Sequence, residues 1–181
     1  MPTTQEHIAV DKIKAAIREI PDFPKPGIMF KDITPVLKDP VLLNQVIDYF
    51  YYQLKDKKVQ YVAGIESRGF IFGAALAYKL GAGFVPIRKK GKLPGSVEQH
   101  EYDLEYGTDT IEMHVDAVEA GSRVVLIDDL LATGGTAAAS CKLLEKLKAE
   151  VVGIHFLIEL EFLHGRERLP QNLHTHSMIQ F

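Results

Sequence analysis

Residues 123–136, RVVLIDDLLATGGT, followed directly by AAASCKLLEKLKAE, constrain the fold more than any other stretch of the chain. Val124, Val125, Leu126 and Ile127 are consecutively apolar and mostly β-branched, the pattern of a strand covered by helices on both faces. The acidic pair Asp128 and Asp129 follows, then a run of small residues, then a helical stripe. Strand, acids, tight loop and helix start thus stand in one register. The point where such a strand passes into its loop is where open α/β sheets hold ligands.

The chemistry of this turn is specific. Ala132, Thr133, Gly134, Gly135 and Thr136 carry small side chains, so backbone N–H groups and two hydroxyls can close on phosphate oxygens at the helix N-terminus. Asp128 and Asp129 would repel a polyphosphate laid across them, but ionised carboxylates accept well from a diol. A ribose phosphate satisfies both halves, its 5-phosphate in the Thr/Gly part and its 2- and 3-hydroxyls on the acids. An ordinary βα turn with an Asp cap is the plainer reading, and it explains a bare TGG better than it explains the whole register. A Walker loop is excluded, because no Gly-Lys-Ser/Thr follows and the turn contains no Lys.

Along the rest of the chain, strands and helices alternate without a linker or repeat, so residues 1–181 are expected to form a single domain. Helices are expected over residues 8–20, 41–54 and 69–80, and strands over 59–65, 83–87, 111–115, 124–127 and 151–158. The expected class is α/β: an open, mainly parallel twisted sheet flanked by helices. The first residues and the tail from Asn172 are expected to build a small cap. Residues 88–109 are polar and glycine-rich and read as a long flexible lid loop without regular structure.

Composition excludes several classes. A net charge of −3 offers no basic field for nucleic acid, and no apolar stretch is both long and uncharged enough to span a bilayer. The start, MPTTQEHIAV, lacks a signal-peptide core, so a cytoplasmic protein is expected. The lone cysteine, Cys141, lies on the apolar side of its helix with Ala137 and Leu144 and reads as core filler. His174 and His176 alternate on one face of an expected strand, but spacing places no third ligand, so zinc is not expected.

Three further segments carry chemistry. In GIESRGF, Arg68 can offer a fork of hydrogen bonds to a pyrophosphate, which the Ser67 and Gly69 backbones can approach closely. In RKKGKLPG, Arg88, Lys89 and Lys92 supply cations for the same anion, with Arg88 and Lys92 the stronger candidates. In PGIMFKD, Phe30 can stack on a planar base while the extended backbone at Met29 and Lys31 reads its edge.

With FPKPGIMFKDITPVL from Phe23, GIESRGFIFGAALA from Gly64, IRKKGKLPG through LEYG from Ile87, and the acidic turn, the chain resembles the type I phosphoribosyltransferases over nearly its whole length. The resemblance implies transfer of the phosphoribosyl group from 5-phosphoribosyl 1-diphosphate (PRPP) to adenine, with AMP and pyrophosphate as products, in purine salvage. It implies Mg²⁺ as cofactor, bound mainly through PRPP with Asp128 contributing through water, and a homodimer. It implies that Glu105 manages the purine proton, that Tyr106 closes over sugar and base, and that the Glu66–Ser67 peptide is strained, with cis as one form. Met29 and Lys31 stand where some relatives carry Val and Arg. Two rivals remain open: the same fold acting on hypoxanthine, guanine, xanthine or orotate, and a regulator that keeps the donor site without turnover.

Overall fold

A computed structural model of the chain describes residues 4–103 and 107–181, with side chains from residue 10 onward. The chain divides into two compact units, Met1–Tyr49 and Phe50–Phe181.

The first unit opens with helix α1 (Thr4–Ala16), then strands β1 (Arg18–Ile20) and β2 (Phe30–Asp32), the short helix α2 (Thr34–Lys38) and the start of α3 (Pro40–Leu54). Asp39 sets the start of α3 by accepting from the N–H groups of Val41 at 2.8 Å and Leu42 at 3.2 Å. Residues 18–20, expected to continue the first helix, instead pair antiparallel with β2, Arg18 opposite Asp32 and Ile20 opposite Phe30. The cross-strand partner decides this. Arg18 Nε donates to Asp32 Oδ2 at 3.0 Å, and that ladder outweighs a helical stripe worth only tenths of a kcal/mol per residue.

The second unit is built on a seven-stranded sheet in the order β5-β6-β4-β3-β7-β8-β9, with strands β3 (Tyr61–Ile65), β4 (Gly83–Lys89), β5 (Val97–Asp103), β6 (Thr108–His114), β7 (Arg123–Leu131), β8 (Glu150–Glu159) and β9 (Thr175–Gln180). β3 pairs parallel with both β4 and β7, β7 with β8, and β8 with β9; β5 and β6 run antiparallel. Helices α4 (Gly69–Leu80) and α5 (Gly135–Lys146) make the crossovers that follow β3 and β7. Val124 and Leu126 join Leu143 and Leu144 of α5 in one buried cluster, while Ile127 meets α4 at Gly73. β7 is thereby covered on both sides, as its unbroken apolar run requires.

Three further expectations change. β7 runs on through both aspartates to Leu131, so the acids belong to the strand itself. Within the segment expected to be irregular, residues 97–103 form β5, paired with β6 from Val97 opposite His114 to Asp103 opposite Thr108. Its sequence hides it because VEQHEYD carries polar side chains on both faces. The ladder to β6 and contacts to α5 hold it, including Lys146 Nζ at 2.7 Å from Glu98 Oε1 and 2.6 Å from the Gln99 carbonyl. The tail is also no cap: β9 is the edge strand, parallel to β8, with Met178 and Ile179 buried.

Strand order reverses beside β3, whose crossover leads to β4 on one side while β7 lies on the other. A topological switch point of this kind opens a crevice at the C-terminal ends of β3 and β7.

Candidate active site

That crevice is a cavity of about 380 Å³, walled by Ile65 at the end of β3 and residues 66–68 after it, Ile87 and Lys89 of β4, Tyr102, Asp109 and Ile111 from the β5–β6 pair, and Asp128, Asp129, Leu130 and Thr136. Its volume suits a small-molecule ligand. A smaller recess of about 90 Å³ is walled by Asp128 and residues 130–137. The two share Asp128, Leu130 and Thr136, so acids and loop serve one continuous site.

The recess is the small-residue turn. Gly134 has φ +80 and caps α5, a left-handed conformation that glycine adopts without steric cost. The first-turn N–H groups of α5 have no intrahelical acceptors and carry the positive end of the helix dipole. Ala132, Thr133, Gly134, Gly135 and Thr136 all line the recess, as the sequence suggested.

The acids lie beside it. Asp129 is buried, its N–H donating to Asp128 Oδ1 at 2.8 Å. Burial, with the adjoining Asp129 charge, pushes the Asp128 carboxyl well above its ordinary range. Burial also raises Asp129, against the pull of the Arg68 guanidinium, whose Nε lies 3.0 Å from Asp129 Oδ2. Carboxylates so crowded favour a ligand that donates hydrogen bonds to them.

Arg68 and Ser67 line the cavity, and the Glu66–Ser67 peptide is cis. Arg88 and Lys92 lie elsewhere: Arg88 donates from Nε to Glu66 Oε2 at 3.1 Å and covers the Phe70 ring, while the Lys92 N–H donates to Glu112 Oε1 at 2.9 Å. The cation of this segment that lines the cavity is Lys89, with Nζ 3.1 Å from Asp109 Oδ2. β4 runs two residues past its expected end, and neighbouring residues of a strand face opposite sides, so Lys89 reaches where Arg88 does not.

Tyr102 was not anticipated. Its hydroxyl lies 3.0 Å from Thr136 Oγ1, joining β5 to the turn that opens α5, and no periodicity in a polar segment signals it. Glu112 was also missed. It is buried on β6 and accepts from the N–H groups of Lys92 and Leu93, both at 2.9 Å, and from Gln99 Nε2 at 3.2 Å. Burial alone would raise its carboxyl, but these donors hold it below the ordinary range.

Met29, Phe30 and Lys31 belong to the first unit. Met29 is exposed, Phe30 meets Phe23 edge to face at 5.1 Å, and the Lys31 ammonium pairs with Glu19, so its side chain is engaged while β2 stays extended. Glu105 and Tyr106 lie outside the described residues. Among the described residues, no group of three His, Cys, Asp or Glu side chains is disposed to hold a metal. Cys141 is buried in α5, and burial pushes its thiol up to about 12, which agrees with a packing role.

Comparison with known proteins agrees with this geometry. The family model described as "Phosphoribosyl transferase domain" matches residues 36–175. The adenine phosphoribosyltransferase of Acaryochloris marina is 57% identical over 169 residues, covering 93% of this chain and 99% of that protein. The crystal structure of adenine phosphoribosyltransferase from Rhodothermus marinus superposes with a TM-score of 0.93 at 54% identity, over 97% of this chain and 99% of that one. The Saccharomyces cerevisiae enzyme, solved with an imino-altritol bisphosphate and adenine, gives 0.91 at 42% identity, over 95% and 99% of the two chains.

Proposed function

The chain belongs to the phosphoribosyltransferase family, and from that premise we infer that it transfers the 5-phosphoribosyl group of PRPP to adenine, releasing AMP and pyrophosphate in purine salvage. One observation carries the reading. The anion recess at the start of α5 and the acidic pair ending β7 share walls within a single cavity at the switch point of the sheet. A ribose bearing a 5-phosphate spans the two, and relatives more than half identical to this chain are adenine phosphoribosyltransferases.

Residues 132–136 hold the 5-phosphate through N–H groups and the hydroxyls of Thr133 and Thr136. Asp128 and Asp129 accept from the ribose hydroxyls and fix the ring. Breaking the anomeric C–O bond develops positive charge on that ring, which carboxylates beside it stabilise. Arg68, Lys89 and Ser67 line the space proposed for the leaving diphosphate, whereas Arg88 and Lys92, the cations favoured by the sequence, do not line it. Met29, Phe30, Lys31 and Tyr106 are proposed for adenine, and Glu105 for its proton.

Magnesium is the proposed cofactor. Hard carboxylate oxygens at Asp128 suit it. When bound, it neutralises the departing diphosphate. A homodimer and a cytoplasmic location remain part of the proposal. A buried lone thiol suits a reducing compartment, and no described helix is long and apolar enough to cross a membrane. The 181 residues are proposed to act as one domain.

Product formation from PRPP, Mg²⁺ and each of adenine, hypoxanthine, guanine, xanthine and orotate tests the reading. AMP from adenine, with the other bases at least a hundredfold poorer, is expected. Preference for a 6-oxopurine would overturn the base assignment; donor binding without turnover on any base would favour the regulator.

A further inference from the structure

The phosphate loop does not stand alone. A Cβ placed on Gly134 would lie 2.2 Å from the Gly165 carbonyl oxygen, and one placed on Gly165 would lie 2.0 Å from the Ala132 carbonyl oxygen and 2.9 Å from the Gly134 nitrogen. Two backbones therefore touch, with no space for a methyl group on either. The second belongs to the 3-10 turn Gly165–Arg168, some thirty residues further along the chain. A side chain's far end could swing clear of such a contact; backbone cannot.

The turn is itself anchored. Arg166 donates from Nε to Glu159 Oε1 at 3.0 Å, pairs again with Oε2 through Nη2, and gives Nη1 to the Thr175 carbonyl at 2.7 Å. Glu159, at the end of β8, is 4% exposed. Burial would raise its carboxyl, but Arg166 and neighbouring donors hold it below the ordinary range, so the pair is a charged, two-pronged clamp. Beside it, the Leu160 N–H donates to the Leu131 carbonyl at 2.9 Å, tying the chain after β8 to the last residue of β7.

We propose that Gly165, held by the Arg166–Glu159 pair, is a positioning residue for the ribose 5-phosphate, because its backbone fixes the shape of residues 132–134. This rests on the reading of that loop as the 5-phosphate site. A loop with consecutive glycines has much conformational freedom to lose, and an anion cradle of N–H groups works only when they converge. Contact with a rigid turn removes that freedom before the ligand arrives, which strengthens binding without adding any contact to the ligand. Neither Gly165 nor Arg166 touches the phosphate; both act through Gly134 and Ala132.

The test is calorimetric titration of ribose 5-phosphate and, separately, pyrophosphate, with steady-state kinetics, on the full chain and three variants. Gly165→Ala should weaken ribose 5-phosphate binding and raise the KM for PRPP tenfold or more, with pyrophosphate affinity and the KM for adenine within twofold of wild type. Arg166→Lys, which leaves both glycines in place but loses the fork, should give the same pattern at smaller size, and it decides the matter if Gly165→Ala does not fold. Leu76→Ala, a buried truncation in α4, should lower the melting temperature without that selective loss. Ribose 5-phosphate binding retained by the folded variants, or weakened equally with pyrophosphate, would overturn the proposal. Wild type that binds no ribose 5-phosphate would instead refute the phosphate-site reading, and the support with it.

Discussion

A methyl group on Gly69 would stand 2.8 Å from Asp128 Oδ1 and 3.0 Å from the Ile127 carbonyl. The first residue of α4 is thus pressed against the end of β7, and the absence of a side chain there lets Asp128 keep its place in the cavity. Gly69→Ala must displace either the carboxylate or the strand. We expect a stability loss of about 1–3 kcal/mol, as for other overpacked sites, and a fall of tenfold or more in kcat/KM for PRPP. Thermal melts and steady-state kinetics on one preparation check both, and an unchanged kcat/KM would remove Asp128 from ribose binding.

Arg68 faces Asp129 at 3.0 Å with a third of its side chain exposed to the cavity, so it can pair with the acid and still offer donors to a diphosphate. Arg68→Lys keeps the charge but loses the planar fork. The expected result is pyrophosphate product inhibition weakened tenfold or more, with ribose 5-phosphate affinity little changed. Equal loss of both ligands would place Arg68 in the folding of the site instead.

His155 is buried on β8 with its ring 6.0 Å from that of Phe50, and its Nδ1 has no partner among the described residues. Burial, then the charges of His176 and His174, hold its pKa at about 3 against an ordinary 6.5. Between those values the unfolded chain takes up a proton that the folded chain refuses, so stability from this group is full above pH 6.5 and falls as the pH drops toward 3. The loss between pH 7.5 and 5 should be about 2 kcal/mol in denaturant titrations. His155→Phe should flatten that dependence; an unchanged slope would assign it to other groups.

Glu105 is proposed to handle the purine proton, so Glu105→Gln should lower kcat a hundredfold or more while changing PRPP affinity less than threefold. Retained kcat would exclude it from catalysis.

Much of this was legible in the sequence because the decisive signals are local. The apolar, mostly β-branched run of residues 124–127 signals a doubly covered strand, and the small residues 132–136 before a helical stripe signal a tight turn. What stayed hidden depends on partners distant in sequence. β5 has no apolar face of its own, and its order comes from β6 and from Lys146 and Thr136 of α5. Lys89 emerges only once β4 is seen to continue past Ile87. Arg18, Glu19 and Ile20 follow a helical stripe until β2 offers them a ladder. Gly165 looks like any turn glycine until Ala132 and Gly134 are placed against it.

The central claim is that one turn at the end of β7 holds the sugar phosphate, and a crystal structure with ribose 5-phosphate tests it most directly. The phosphate oxygens should lie about 2.7–3.2 Å from N–H groups and hydroxyls of residues 132–136, with the 2- and 3-hydroxyls on Asp128 and Asp129. A phosphate bound anywhere else, or a ribose turned away from the two acids, would contradict the account.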